Sequence, residues 1–285
     1  MEIIENKTFD AERALYGSRS LEVKGCRFDG PADGESALKE SSDIIADSCF
    51  FNLRYPLWHV HGLKIKNSEM TSDCRAALWY SDDIEITNTK MHGIKALREC
   101  ERVTVKNCDI VSPEFGWSVR NIKMENTSAE SEYFMLRSEE LEFSGVSFKG
   151  KYSFQYIKNA VFDNCVFDTK DAFWHAENVT VRNSVVNGEY LGWYSDGVTF
   201  ENCKITGTQP LCYCKNLRLV NCEMYNADLC FEKSEVDATV TTPVISVKNP
   251  LSGEIRLPSV GEIIRDGGEY KGNIIICGDS SKESA

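Results

Sequence analysis

The chain has 285 residues, 42% of them hydrophobic and 27% charged, with a formal net charge of -12. It is long enough to bury a continuous core, and a mean hydropathy of -0.34 fits a folded, soluble protein rather than a disordered one. The acidic excess repels polyanions at long range, so neither nucleic acid nor a membrane surface is expected as a partner.

The first residues, Met1 to Lys7, lack a basic stretch followed by an apolar one, and no run of about 18 apolar residues occurs anywhere. A cytoplasmic location is therefore expected. In that reducing setting the 12 cysteines should stay as thiols.

Along the chain, LEVKGCRF at 21 and IIADSCFF at 44 open a pattern of apolar, x, apolar, x, Asn or another turn residue, small, x, apolar. It recurs as LKIKNSEM (63), IEITNTKM (84), VTVKNCDI (103), IKMENTSA (122), LEFSGVSF (141), AVFDNCVF (160), VTVRNSVV (179), VTFENCKI (198) and LRLVNCEM (217), and fades at VDATVTTP (236). From 103 to 236 the step is 19 residues every time.

Alternation with period two marks half-buried strands, and a strand that returns at a fixed step must stack in register on its copy one coil away. Parallel crossovers favour the right hand. The fold expected is all-β: a single right-handed parallel β-helix of about 12 coils over residues 1–243, a C-terminal β cap of the same domain over 244–277, and a flexible tail over 278–285. Hexapeptide left-handed helices and pentapeptide solenoids fit less well, since 19 is a multiple of neither six nor five.

Two columns read as architecture. Asn67, Asn88, Asn107, Asn126, Asn164, Asn183, Asn202 and Asn221 share the fifth position, where a sharp corner needs left-handed backbone and stacked amides can bond coil to coil. Cys26, Cys49, Cys108, Cys165, Cys203 and Cys222 share the sixth with Ser68, Thr89, Thr127 and Ser184, a ladder of small inward groups. No metal and no cofactor is expected.

Five residues before each copy lies a column holding every tryptophan: Trp58, Trp79, Trp117, Trp174 and Trp193. The preceding column, with Leu38, Leu57, Leu78 and Leu97, carries no charge, so on a second strand of each coil it should face inward and the tryptophans outward. Alternation counted from the small residues nearer the corner, such as Val60 and Ser81, gives the opposite answer. If exposed, the indoles would form a stacking platform for sugar rings.

Beside the tryptophans runs a titratable column, in which Glu40, His59, Tyr80 and Glu99 are the candidates to move protons; Glu40 and His59 should lie close enough to hydrogen-bond. Lys39, Arg54, Trp58, Arg75, Trp79, Lys95, Arg98, Glu114 and Trp117 are the candidate ligand-binding residues around them. The repeat lengthens in this region, to 23 and then 21 residues, and solenoids tend to place binding loops at such insertions. Asp82-Asp83 invites comparison with a glycosidase carboxylate pair, but its place beside a corner reads better as a solvated turn.

The segments ALYG, GESALKE, RYPLWH, RAALWY, GIKALRE and EFGW resemble an uncharacterised bacterial family of right-handed β-helix proteins, a domain of unknown function sometimes labelled a hydrogenase. The resemblance covers essentially the whole chain and implies the fold, but no activity and no catalytic residues. A nickel-iron or iron-sulfur site would need clustered thiolates, and the chain has no CxxC, so the hydrogenase label is rejected.

Two functions compete. In the first, a carbohydrate or small anionic metabolite binds, or is processed, on the charged, tryptophan-bearing face of the early coils, the enzyme in that case being a lyase, hydrolase or isomerase. In the second, the chain is a non-catalytic scaffold whose aromatic columns bury in a homo-oligomer.

Overall fold

The computed structural model describes residues 1–278. These fall into two compact units, Met1–Lys149 and the residues from Gly150 onward. Both are built from parallel strands stacked coil upon coil, and neither contains a helix among the described residues.

In the first unit the long strands are Glu2–Glu5, Arg19–Lys24, Ser42–Asp47, His61–Lys66, Asp82–Thr87, Glu101–Lys106, Arg120–Glu125 and Glu139–Ser144. Their register joins like positions: Leu21 pairs with Ile44, Ile44 with Leu63, Leu63 with Ile84, Ile84 with Val103, and Val103 with Ile122. Alternate residues are buried, as period two requires. Each such aliphatic side chain removed from water stabilises the stack by about 1.5–3 kcal/mol.

A short strand follows each long one after a corner of two residues. At the corner Asn67, Asn88, Asn107 and Asn126 have φ between 46° and 52°, the left-handed region asparagine tolerates best after glycine. Asn88 Nδ2 donates to Asn67 Oδ1 and Asn107 Nδ2 to Asn88 Oδ1, both at 3.3 Å. Replacing Asn107 by Ala removes one rung and leaves an unfavourable φ. We expect a loss of about 1–2 kcal/mol, read as a lower urea midpoint with an unchanged slope.

The third side of each coil differs from the expected second strand. In the first unit it is mostly a run of tight turns, where among the described residues only Leu78–Trp79 and Leu97–Arg98 pair as strands, with a parallel bridge from Arg98 to Trp117. Glu40, His59, Tyr80 and Glu99 all sit at left-handed corner positions, φ 49° to 60°. Residues of the second unit such as Tyr156, His175, Tyr194 and Tyr213 do the same, so this backbone is architecture and not a mark of catalysis.

The second unit repeats the plan in Lys158–Asp163, Glu177–Arg182, Asp196–Glu201, Leu217–Tyr225 and Glu235–Val240. Beyond residue 243 the parallel ladder goes on. Ser252–Leu257 pairs with Glu235–Val240, and Asn273–Ile276 with Ser252–Leu257. With the additional N-terminal coil that begins at Glu2–Glu5, the turns number about 14 instead of the expected dozen. The Pro-punctuated sequence after 243 hid strands that obey the same register with a different step. Apart from Gly278, the tail over 278–285 lies outside the described residues.

Candidate functional site

The question left open by the sequence was which way the tryptophans face. Leu38, Leu57, Leu78 and Leu97 are all 0% exposed, while Trp58, Trp79 and Trp117 are half-buried, so the leucines fill the core and the indoles lie on the outside. Their faces, however, are taken by one another. Lys39 Nζ sits 5.5 Å from the Trp58 ring, Trp58 packs against Trp79 at 4.9 Å with the planes tilted by 31°, and the Arg98 guanidinium lies 4.9 Å from Trp79 and 5.3 Å from Trp117. The column is thus a ladder in the order cation, indole, indole, cation, indole, presenting ring edges instead of an open stacking platform.

Most of these indoles also brace the next coil. Trp79 Nε1 donates to Lys95 O at 2.5 Å and Trp117 Nε1 to Tyr133 O at 2.8 Å, each across 16 residues. Trp58 makes no such bond, and its N–H has no protein acceptor among the described residues.

Trp58 lines a pocket of about 300 Å³ with Arg13, Glu35, Ser36, Lys39, Tyr55, Arg75, Ala76, Trp79 and Lys95. Its origin is visible in one column of left-handed residues: Arg13, Ser36, Tyr55, Ala76, Lys95 and Glu114. Large side chains elsewhere in that column fill the corner. At Ser36 and Ala76 they shrink, and the hollow opens. The walls are rich in cations, two of them tied to carboxylates: Arg13 to Glu12 at 3.4 Å and Lys95 to Glu114 at 3.1 Å. Lys39 and Arg75 have no carboxylate partner among the described residues.

Five of the candidate ligand-binding residues, Lys39, Trp58, Arg75, Trp79 and Lys95, therefore line one pocket. Arg54 instead bridges Asp33 at 2.8 Å and Glu35 at 3.4 Å, and Arg98 is held between indoles and beside Glu99 at 3.4 Å. Arg98, Glu114 and Trp117 do not line the pocket. Sequence reasoning missed Arg13, because the first coil has no recognisable copy of the repeat. It also missed Tyr55, which carries no signal of its own, and Ser36 and Ala76, whose signal is the small-residue gap in a column of large ones.

Of the proton-transfer candidates Glu40 and His59 meet, whereas Tyr80 packs edge-on against Trp58 and Trp79 and Glu99 pairs with Arg98. Glu40 Oε2 accepts from His59 Nδ1 at 2.6 Å, as the coil spacing predicts. His59 meets His61 edge to face at 4.8 Å, and His61 lies 3.0 Å from Asp82. Asp83 takes two bonds from Arg102, at 2.6 and 3.1 Å, and that guanidinium holds its carboxyl below the usual range. Asp83 is thus a fixed carboxylate of an ion-paired corner, unsuited to act as a glycosidase acid.

The model of a family described as "Protein of unknown function (DUF3737)" matches residues 2–276. The chain belongs to the DUF3737 family. Comparison with curated proteins returns no match. Among solved structures this DUF3737 chain is similar to the A-module of mannuronan C-5 epimerase AlgE6 of Azotobacter vinelandii, at 10% identity and a TM-score of 0.38, covering 92% of this chain and 90% of that one. It is also similar to PfbA, a surface adhesin of Streptococcus pneumoniae, at 11% identity and a TM-score of 0.38, covering 78% of this chain and 72% of that one. A third is the catalytic domain of a GH87 alpha-1,3-glucanase, at 9% identity and a TM-score of 0.36, covering 96% of this chain and 64% of that one. At such identities the likeness concerns coil architecture alone.

No disulfide joins the cysteines of this DUF3737 protein among the described residues, and all but Cys277 are buried. Burial pushes the thiols of Cys74 and Cys100 up to about 12 and that of Cys49 to about 11, so they are protonated core groups. Nowhere among the described residues do three or more His, Cys, Asp or Glu side chains converge as metal ligands would.

Proposed function

We propose that the first unit binds an anionic sugar, such as a sugar acid, in the pocket bounded by Arg13 and Lys95, and that the protein does so in the cytoplasm. One observation carries the reading. Where the corner column narrows to Ser36 and Ala76, three groups around the hollow lack a carboxylate or carbonyl partner among the described residues: the Trp58 N–H, the Lys39 ammonium, which rests only on the Trp58 ring, and the Arg75 guanidinium. Unused cations beside an unused donor suit a carboxylate or a similar acid, in a chain whose net charge otherwise repels anions.

The volume of about 300 Å³ suits a ligand of monosaccharide size. Glu35, Ser36 and Tyr55 offer hydrogen-bonding partners for hydroxyl groups. With the indole faces covered, the sugar is held by charge and hydrogen bonds along ring edges, not by stacking. The Glu40–His59 pair supplies a general acid–base couple for a ligand that reaches across Trp58. The buried, protonated thiol ladder suits a reducing compartment.

Thermal shift tests the binding. Glucuronate and galacturonate are expected to raise the melting temperature, glucose and galactose to leave it unmoved, and Lys39→Ala/Arg75→Ala to lose the shift. A wild type unmoved by every acid, or a double variant that shifts equally, contradicts the reading.

A second reading, self-association, draws on the second unit. There Tyr156, His175, Tyr194 and Tyr213 stack in one outer ladder at 4.7 to 5.2 Å, with Tyr156 44% and Tyr194 49% exposed. Aromatic strips of this kind are enriched at interfaces. Light scattering that shows a strict monomer removes this reading.

A further inference from the structure

The two unpaired cations of the pocket are not side by side. Lys39 belongs to the same coil as Ser36, Arg75 to the coil of Ala76, and the coil of Tyr55 and Trp58 lies between them. Two steps of a parallel stack set the backbones that carry the two cations about 10 Å apart along the axis. The intervening coil contributes no cation to the lining, since Arg54 is drawn off by Asp33 and Glu35. It contributes the Tyr55 side chain and the Trp58 N–H, with the Glu35 carboxylate and the Ser36 hydroxyl close by. A carboxylate in the lining opposes a third negative charge there, and accepts from a hydroxyl instead.

Resting on the sugar-binding reading above, we infer that the ligand carries two anionic groups, one at each end of a hexose-sized polyol. One acid sits at Lys39, the other at Arg75, and the hydroxyl-bearing middle lies along Tyr55, Trp58 and Glu35. Arg13 and Lys95, each with a carboxylate of its own, complete the two ends. A hexose substituted at both C1 and C6 has this shape, whether the acids are phosphates or carboxylates.

Calorimetry at fixed ionic strength tests this with two ligand pairs on the full chain: glucose 1,6-bisphosphate against glucose 1-phosphate, and glucarate against glucuronate. The doubly acidic member is expected to bind about tenfold tighter in the pair whose acid the site accepts, the effect of one further charged hydrogen bond. The pair that shows the gain identifies the acid as phosphate or carboxylate. Inorganic pyrophosphate, whose charges lie together, should not share it. Lys39→Ala and Arg75→Ala should each abolish the difference within a pair while singly acidic ligands still bind.

Equal affinity within both pairs overturns the inference and leaves the sugar-binding reading standing. Failure of all four ligands to bind overturns the reading itself.

Discussion

Replacing Phe134 by Ala is expected to destabilise the first unit by about 3–5 kcal/mol, the range for a large aromatic removed from a core that cannot collapse around the gap. Phe134 is 0% exposed, stacks on Phe115 at 5.7 Å and Phe148 at 4.6 Å, and meets Phe143 edge to face at 6.3 Å. The coils above and below cannot close on the void, because ladder bonds such as Met135 N to Phe115 O at 2.8 Å fix their spacing. A solenoid is stabilised chiefly between neighbouring coils, so the loss falls on one internal interface and should reduce cooperativity as well. Urea unfolding followed by Trp fluorescence reads both effects. A loss under about 1.5 kcal/mol would mean that the coils relax where the ladder bonds say they cannot.

Gly93→Ala is expected to damage stability and binding together. A Cβ at Gly93 would lie 1.8 Å from Cys74 O and 2.7 Å from its carbonyl carbon, so backbone must move against backbone. Overpacking of this kind costs about 1–3 kcal/mol. The two segments forced apart lead into Arg75 and Lys95, which line the pocket from adjacent coils. A folded variant with a lowered melting temperature and no response to acidic sugars is the expected outcome. Unchanged binding would show that the pocket does not depend on this close approach.

How much of this was legible in the sequence follows from what repeats and what does not. Asn88, Asn107, Cys108 and Thr89 recur at one step, so their corner and their inward ladder could be placed without coordinates, as could the contact of Glu40 with His59. The first coil offers only Ile4, Asn6 and Phe9 as traces of the pattern, and it went unread together with Arg13. The third side was read as a strand on the contrast between the uncharged Leu column and the charge-bearing Trp column beside it, a contrast that tight turns with Leu78–Trp79 and Leu97–Arg98 as short strands also produce. Its left-handed corners at Tyr55, His59, Ala76 and Tyr80 carry residue types that do not announce such backbone. Which way the indoles face was left open by two conflicting counts of the alternation, and that Lys39, Trp58, Trp79 and Arg98 would cover each other's faces was not legible at all, since packing within a column depends on rotamers and not on spacing.

A crystal structure of the protein soaked with glucuronate tests the central claim most directly. The account predicts density in the pocket of the first unit, with the sugar carboxylate at Lys39 or Arg75 and an oxygen within hydrogen-bond reach of Trp58 Nε1. Density confined to another groove, such as that lined by Asn183, Asn202 and Lys204, or an empty pocket at saturating ligand, would contradict it.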